Sequence, residues 1–347
     1  MANRYWIGTG NWDTTNTANW STASGGSGGA SVPTSADAVF FDAGSAGGAC
    51  TITAVVSCAS LDCTNFTGTL TGASQVNCSG SFTLVSGMTY TRTGVTSFGG
   101  SANRTITCAG FTIGSNVNIT TSAIVTFADN LICTGSVSQT AGTVTLNGNL
   151  TCTTVTLSGT SVKTFNANAA VITLTGTATV WNYSGSNLTF NRGTSKIVLS
   201  NTTTTARTFA GGGLTYYDLE IGGATGISTL TISGSNTFNT VSSTKTVAHT
   251  LRLTAGTTTT VTDWSINGTS GNQFTLNSAT AGSQATLAKA GGGTVSVSYT
   301  TVTDIAATPT STWSALTSNG CLDGGNNTGW TFTQTPTTQN PNFFLFF

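Results

Sequence analysis

The feature that most constrains this fold is an unbroken series of short alternating stretches between Cys50 and Asp304. In stretches such as 143–146 and 154–157, β-branched or aliphatic residues alternate with polar ones, and a period of two predicts strands with one buried face. Many stretches end in an aliphatic residue, a polar residue, a glycine and a small or polar residue, and glycine permits the tight bend to the next strand. No stretch of ten or more residues has a helical period. We therefore predict an all-β protein.

Three architectures suit short strands joined by glycine turns: a β-sandwich, a β-propeller and a β-solenoid. Proline is missing from residue 34 to residue 308, so no linker divides this region into sandwich-sized units, and no propeller blade signature recurs. Continuous repetition favours a right-handed parallel β-helix, with roughly 20–25 residues per coil and about 10–13 coils. Tandem β-sandwich or jelly-roll domains are the alternative.

The two ends differ from the central region and divide the chain into four parts. Residues 1–45 are dense in aromatic side chains and glycine, residues 46–304 are the solenoid body, residues 305–333 form a second cap, and residues 334–347 are a linker with a hydrophobic peptide. Because the ends of a solenoid expose strand edges that recruit other chains, each end needs a cover. The predicted cap residues are Trp6, Trp12, Trp20, Trp313 and Trp330.

The last residues of the sequence are strongly apolar. Residues 334–341 contain two prolines and favour an extended linker. Five consecutive large apolar side chains follow, and exposed together they would make a soluble monomer prone to aggregation. We predict that they anchor the protein to a neighbouring subunit or another protein; the alternative is a plug folded onto the solenoid's own end. The predicted anchor residues are Phe343, Phe344, Leu345, Phe346 and Phe347.

Charged residues are scarce, which bears on chemistry and on partners. They make up 6% of the 347 residues, with ten acidic residues, ten basic residues and one histidine. Acid–base and metal chemistry need carboxylates and imidazoles in one place, and nucleic-acid binding needs a basic surface. No apolar run reaches membrane-spanning length. We predict a protein that is not an enzyme, that holds no cofactor or metal, and that binds neither nucleic acid nor a membrane.

The cysteines and the first residues bear on where the chain folds. The N-terminus has no basic segment followed by an apolar stretch, so we expect no secretory signal and folding in a reducing cytoplasm. Seven of the eight cysteines lie in the N-terminal half, without a Cys-x-x-Cys pair. We predict buried free thiols that fill small core positions, with disulfides as the alternative and a zinc site disfavoured.

Paired carboxylates for glycan cleavage are the strongest enzymatic alternative. Asp218 and Glu220 lie two residues apart on one predicted strand and so share a face, and Asp263 with Asp304 is a second candidate pair. We interpret Asp218 and Glu220 as an exposed structural pair.

Two further features could be mistaken for sites. His249 lies between Lys245 and Arg252, outside any nucleophile motif, and is predicted to be a surface histidine. Residues 323–327 (DGGNN) offer oxygen ligands of the calcium-loop type, but the distal glutamate and the alternating acids are missing. A turn held by Asx hydrogen bonds is therefore our preferred interpretation.

Both ends of the chain resemble a group of viral proteins. The motifs YWIGTGNWD (residues 5–13) and NTANWS (residues 16–21), with DGGNNTGWTF (residues 323–332), are similar to the ends of uncharacterised structural proteins of bacteriophages and environmental viruses. Similar segments also occur in bacterial surface proteins. The resemblance implies a virion part of β-helical type, and no catalytic residues come with it.

These observations lead us to expect a non-enzymatic phage virion protein made in the host cytoplasm: an exterior capsid decoration or a fibre component attached through its apolar terminal peptide. The expected partners are capsid or tail proteins and further copies of the chain, as in a trimer. One alternative is a tail fibre or tailspike that binds a receptor or a host-surface glycan, since aromatic rings stack on sugars. A glycan depolymerase and a bacterial surface adhesin are the others, and the missing export signal disfavours the adhesin. The candidate sugar-stacking residues are Trp181, Tyr183, Tyr216 and Tyr217.

Overall fold

A computed structural model describes residues 1–333 and is almost entirely β-structure. Parallel strands stack into a right-handed β-solenoid of about 13 coils, which confirms the predicted fold and makes the tandem-sandwich alternative wrong. In the largest sheet, coil length between paired residues ranges from 18 residues (Val137 to Val155) to 29 residues (Thr179 to Thr208). Within the described residues, the only helices are the short 3-10 turns Ala43–Ser45 and Thr317–Asn319.

Two sheets begin in the first coil. The ten-stranded sheet contains, in spatial order, Trp20–Ser21, Asn3–Trp6, Ala38–Phe40, Ser60–Asp62, Phe82–Thr83, Arg104–Thr107, Ile124–Phe127, Gly142–Leu146, Lys163–Asn166 and Leu188–Asn191. Its first strand, Trp20–Ser21, is antiparallel to its neighbour, and the other pairs are parallel. The four-stranded sheet contains Gly10–Trp12, Ala49–Ile52, Thr69–Gly72 and Thr89–Arg92.

Three further sheets complete the solenoid, all of them parallel. The thirteen-stranded sheet contains Val56–Cys58, Val76–Cys78, Thr96–Phe98, Val117–Ile119, Ser136–Gln139, Thr154–Leu157, Thr179–Tyr183, Arg207–Ala210, Thr229–Ser233, His249–Leu253, Phe274–Ser278, Thr300–Thr303 and Leu322–Asp323. The nine-stranded sheet contains Leu131–Ile132, Leu150–Cys152, Val171–Leu174, Lys196–Leu199, Asp218–Ile221, Thr237–Ser243, Thr258–Ser265, Ala285–Lys289 and Ile305–Thr308. The three-stranded sheet contains Val295–Ser296, Trp313–Ser314 and Trp330–Thr331.

The number of faces changes along the rod. In the first half, each coil passes in turn through the thirteen-stranded sheet, the ten-stranded sheet and a third face, which the four-stranded and then the nine-stranded sheet form. The ten-stranded sheet ends at Leu188–Asn191, and the next coils alternate between two faces only. From Val295 onward the three-stranded sheet adds a new face between the nine-stranded and thirteen-stranded sheets.

Alternation along each strand separates the core from the surface. Side chains that face inward stack in register from coil to coil, as Val117, Val137 and Val155 do in the thirteen-stranded sheet. Burying each such side chain contributes roughly 1.5–3 kcal/mol. Close stacking also explains the recurring glycine: at Gly72, φ is 121° and an added Cβ would collide with the carbonyl oxygen of Ile52 in the preceding coil.

An aromatic cluster fills the core where the ten-stranded sheet ends. Trp181 and Tyr216 are fully buried, with ring centroids 5.7 Å apart. The Trp181 Nε1–H donates to the Tyr216 hydroxyl at 3.0 Å, and that hydroxyl donates to the Gly211 carbonyl at 2.8 Å. Phe190 and Phe209 pack against both rings. Large rings therefore occupy the space left where the coil loses a face.

Candidate functional sites

The carboxylates of the first candidate pair hold neighbouring coils together. Register across the nine-stranded sheet places Lys196 beside Asp218, and Asp218 beside Thr240. Glu220 forms an ion pair with Lys196, and Asp218 accepts a hydrogen bond from the Asn239 amide at 3.0 Å. A surface ion pair of this kind contributes about 0–1 kcal/mol. Each carboxylate thus has a partner in an adjacent coil.

The second candidate pair, Asp263 and Asp304, is not brought together. Thr258 pairs with Thr286, which in turn pairs with Ala306, so these three residues are level across adjacent strands. Asp263 follows Thr258 and Asp304 precedes Ala306, which places the two aspartates about seven residues, or roughly 20 Å, apart along the strand direction. Asp304 is buried, where it accepts hydrogen bonds from the Gly282 N–H at 3.0 Å and from an asparagine amide at 2.6 Å. It holds a turn together.

The DGGNN segment is a turn fixed by its own side chains. The Asp323 carboxylate accepts from the Gly325 N–H at 3.0 Å and from the Asn327 amide at 2.7 Å. The Asn327 side chain also donates to the Val302 carbonyl at 2.7 Å and accepts from the Ile305 N–H at 2.9 Å. These contacts agree with the Asx-turn interpretation and tie the last coil to the one before it.

His249 is buried, so the prediction of a surface histidine is wrong. Only 5% of the residue is exposed, and its ring packs on Phe274 at 5.0 Å. Nδ1 lies 2.9 Å from the Val247 carbonyl and Nε2 lies 3.0 Å from the Ser243 hydroxyl. The carbonyl can only accept, so Nδ1 carries the proton and Nε2 accepts from Ser243. Burial lowers the pKa of His249; the hydrogen bond to the Val247 carbonyl partly opposes this shift, and the ammonium of Lys245 adds to it.

Sequence reasoning missed Ser243, which is the polar partner of this histidine. The strand Thr237–Ser243 lies on one face of the solenoid and the strand His249–Leu253 lies on the next face. The corner between these strands brings Ser243 close to His249. One signal was present: His249 is in phase with the buried Leu251 and Leu253. The pair joins the two sides of a coil corner.

A group of buried cations was also missed. The Lys163 ammonium is fully buried and donates to the carbonyls of Gly159, Ser161 and Ser186 at 2.7–2.9 Å. Desolvation lowers the pKa of Lys163. Three arginines are buried in the same way, with guanidinium groups that donate to loop carbonyls at coil corners. They are Arg92, Arg104 and Arg207.

All eight cysteines are free and buried, which confirms the prediction of core thiols. Cys58 and Cys78 occupy the same position in adjacent strands of the thirteen-stranded sheet, and the Cys78 thiol donates to the Gly80 carbonyl at 3.4 Å. Burial raises the pKa of the Cys50 and Cys63 thiols. Protonated thiols are weak nucleophiles and weak metal ligands.

Two of the four candidate sugar-stacking residues lie in the core. Trp181 and Tyr216 are 0% exposed and belong to the aromatic cluster, so the expectation that they stack on sugars is wrong. Tyr183 and Tyr217 are half-buried. The Arg192 guanidinium lies 5.2 Å from the centre of the Tyr217 ring, a cation–π contact at the surface.

Three of the predicted cap tryptophans close the first coil. Trp6, Trp12 and Trp20 are 0% exposed, and the Trp20 ring meets the other two edge-on at 5.1 and 5.2 Å. Strands Asn3–Trp6 and Gly10–Trp12 pair directly with the next coil. The aromatic segment is therefore continuous with the solenoid.

The other cap tryptophans lie in the last coils. Trp313 is fully buried and Trp330 is half-buried, with ring centroids 5.5 Å apart in the three-stranded sheet. The anchor residues Phe343, Phe344, Leu345, Phe346 and Phe347 lie outside the described residues.

The first coil carries a groove of about 360 Å³. Val32 and Pro33 form one wall, Val55 and Val56 form part of the floor, and the groove extends to Asp13. The side chain of Val56 is buried, whereas Val55 is 59% exposed. The Asp13 carboxylate is turned toward N–H groups of its own loop, which lower its pKa. The groove is therefore lined by apolar and polar groups in similar amounts.

Within residues 1–333, no three histidine, cysteine or acidic side chains lie close enough to hold a metal ion. Nor is any helix of that part of the chain long and apolar enough to cross a membrane. Comparisons with known protein families, with curated proteins and with solved structures found no match to this chain.

Proposed function

We propose that this protein is a non-enzymatic structural part of a bacteriophage virion, either an exterior capsid decoration or a fibre component. One observation carries the proposal: a single sheet of thirteen parallel strands runs from Val56–Cys58 to Leu322–Asp323. At a strand spacing of about 4.8 Å, this makes a rod of roughly 60 Å. Continuous hydrogen bonding along one axis suits a protein that bears load or projects from a surface.

The exterior of the rod supports the same role. On the ten-stranded sheet, Thr126, Thr145, Asn166 and Asn191 stand in one outward row. The Asn191 amide donates to Asn166 at 2.7 Å, and the Asn166 amide donates to Thr145 at 2.9 Å. Uncharged side chains that bond from coil to coil brace the surface and depend little on salt. The resemblance of both chain ends to viral structural proteins points the same way.

Attachment is assigned to the apolar peptide at residues 343–347. Burying one large apolar side chain contributes roughly 1.5–3 kcal/mol, so five could contribute on the order of 10 kcal/mol before the cost of ordering the linker. Several copies acting together would strengthen the attachment. The partners in this proposal are capsid or tail proteins and further copies of the chain, assembled in the host cytoplasm.

Antibody labelling of intact particles tests the proposal. Antibodies raised against the folded protein should decorate the outside of the capsid or the tail in electron micrographs. The same antibodies absorbed with excess protein are the control and should leave particles bare. Label confined to the soluble fraction of lysed cells would contradict a virion role.

A glycan-binding tail protein is the second candidate. Tyr217 presents a half-buried ring with Arg192 above it, and Asp218 follows in the chain. An aromatic face beside charged groups is a common platform for sugars. Binding to a glycan array that is lost in Tyr217→Ala, and kept in Tyr183→Ala, would favour this role over a purely structural one.

A further inference from the structure

Within residues 1–333, the thirteen-stranded sheet has no strand in the first coil. The other two sheets of this region begin in that coil, with Asn3–Trp6 and Gly10–Trp12, whereas the thirteen-stranded sheet begins one coil later with Val56–Cys58. Between Trp12 and Ala38 the chain instead leaves the coil and forms the antiparallel strand Trp20–Ser21. One strand position of the first coil is therefore unfilled.

The groove occupies that unfilled position. Its walls come from residues 13–14, which follow the first-coil strand Gly10–Trp12, and from residues 32–35, which precede Ala38–Phe40. Its floor comes from residues 55–57, the edge of the thirteen-stranded sheet. The volume of about 360 Å³ is enough for one or two large side chains of a bound segment. The groove thus has the place and the outline of a missing strand.

Backbone groups at this edge point into the groove. The Val56 N–H donates to the Gln75 carbonyl of the next coil at 3.0 Å. Successive residues of a parallel strand direct their backbone groups to opposite neighbours. The N–H and C=O of Ser57 therefore point toward the unfilled position. An edge of this kind binds an extended peptide by adding it as a strand, with backbone hydrogen bonds for affinity and side-chain pockets for specificity.

The terminal peptide of this chain has the matching chemistry. Residues 342–347 (NFFLFF) carry no charge and no proline. As a strand they would place Phe343, Leu345 and Phe347 on one face, and the exposed Val55 is an apolar contact for that face in the groove. The Asp13 carboxylate at the groove's end already bonds within its own loop.

Geometry decides which copy supplies the peptide. The groove lies in the first coil and residue 333 lies in the last, about twelve coils or roughly 58 Å away. The 14 residues from 334 to 347 span at most about 48 Å when fully extended. The peptide of one molecule cannot reach that molecule's own groove. We infer that residues 342–347 of one copy add as a strand to the first-coil groove of a second copy, so that copies join head to tail; this rests on the anchor role proposed for the peptide.

Complementation between two deficient variants tests the inference by sedimentation velocity. One variant lacks residues 342–347 and keeps the groove; the other, Val55→Asp, keeps the peptide and places a charge in the groove. The full chain should self-associate, and each variant alone should associate at least about tenfold more weakly. Mixed together, they should form a one-to-one complex, because one supplies the groove and the other the peptide. Val162→Asp, at a valine that is 75% exposed elsewhere on the rod, is the matched control.

Each other outcome overturns the inference. If the full chain is monomeric, or if the truncated chain associates as the full chain does, the peptide is not the link between copies. If truncation abolishes association but Val55→Asp does not, the peptide binds elsewhere: the groove is then wrong while the anchor role stands. Thermal melting of every variant checks that association, and not folding, has changed. Particle labelling is independent of all these results and tests the virion role separately.

Discussion

Buried cations do structural work at single residues in this weakly charged chain. Lys163 shows the arrangement most clearly: three loop carbonyls converge at its corner, and its one ammonium donates to all of them. A buried charge is tolerated when hydrogen bonds replace its lost hydration. A sequence rich in polar residues is compatible with a solenoid here because buried cations donate hydrogen bonds to the loop carbonyls at coil corners.

Lys163→Met should therefore destabilise the protein strongly. The substitution keeps a side chain of similar length but removes the donor that three corner carbonyls share, so we expect a loss of about 1–3 kcal/mol in the free energy of unfolding. Urea unfolding measures it. Lys196→Met is the control, since Lys196 is 40% exposed and makes one ion pair, and it should cost less than about 1 kcal/mol. Equal losses in the two variants would contradict the role assigned to Lys163.

His249 predicts how stability depends on pH. Burial lowers its pKa in the folded protein below the ordinary value of 6.5, so below that pH the unfolded chain binds the proton more readily. The stability that the neutral histidine contributes is present above pH 6.5 and is lost as the pH falls toward its folded-state pKa. The urea midpoint should decrease between pH 7.5 and pH 5. In His249→Gln this decrease should largely disappear, and an unchanged slope in that variant would argue against the assignment.

Alternation of apolar and polar residues predicted the strands and their buried faces, but it did not predict which residues would interrupt that alternation. Thr179–Tyr183 contains a register shift between Thr179 and Trp181, and Val180 and Trp181 are both buried although they are adjacent. A bulge of this kind reverses the in–out phase of a strand. Trp181 therefore looked exposed on the alternation alone.

Adjacent tyrosines pose the same problem in another form. Strict alternation from the buried Leu219 would turn Tyr217 inward, whereas the structure buries Tyr216 and leaves Tyr217 half-buried. The inward position of Tyr216 is determined by its place at the end of the ten-stranded sheet, because its ring fills the space left by the missing face and packs on Phe190 and Phe209. His249 was predictable from its in-phase leucines, whereas its contact with Ser243 depends on a corner whose path local sequence does not determine.

The two tyrosines give a matched test of the aromatic cluster. Tyr216→Phe removes a hydroxyl that accepts from Trp181 and donates to Gly211, and it leaves two buried polar groups unpaired. We expect it to lower the free energy of unfolding by about 1–3 kcal/mol. Tyr217→Phe changes a half-buried ring and should stay within about 0.5 kcal/mol of the unsubstituted protein. A reversed order would mean that the cluster does not depend on its hydrogen bonds.

For the whole molecule, each coil contacts mainly its neighbours, so stability is close to a sum of coil and interface contributions. The two ends are not equivalent. Three buried tryptophans and an antiparallel strand close the first coil, whereas the last strand of the thirteen-stranded sheet, Leu322–Asp323, is exposed. Local opening should therefore begin at the Leu322–Asp323 end, where least apolar surface is buried.

Hydrogen exchange with Trp20→Ala and Trp313→Ala tests this picture. Truncating a buried tryptophan costs about 3–5 kcal/mol, and in a solenoid that loss stays near its own end. Trp20→Ala should speed exchange in Asn3–Trp6 at least about a hundredfold and leave Thr229–Ser233 unchanged, while Trp313→Ala should act on the last coils instead. If either substitution accelerated exchange equally along the rod, the coils would unfold as one unit.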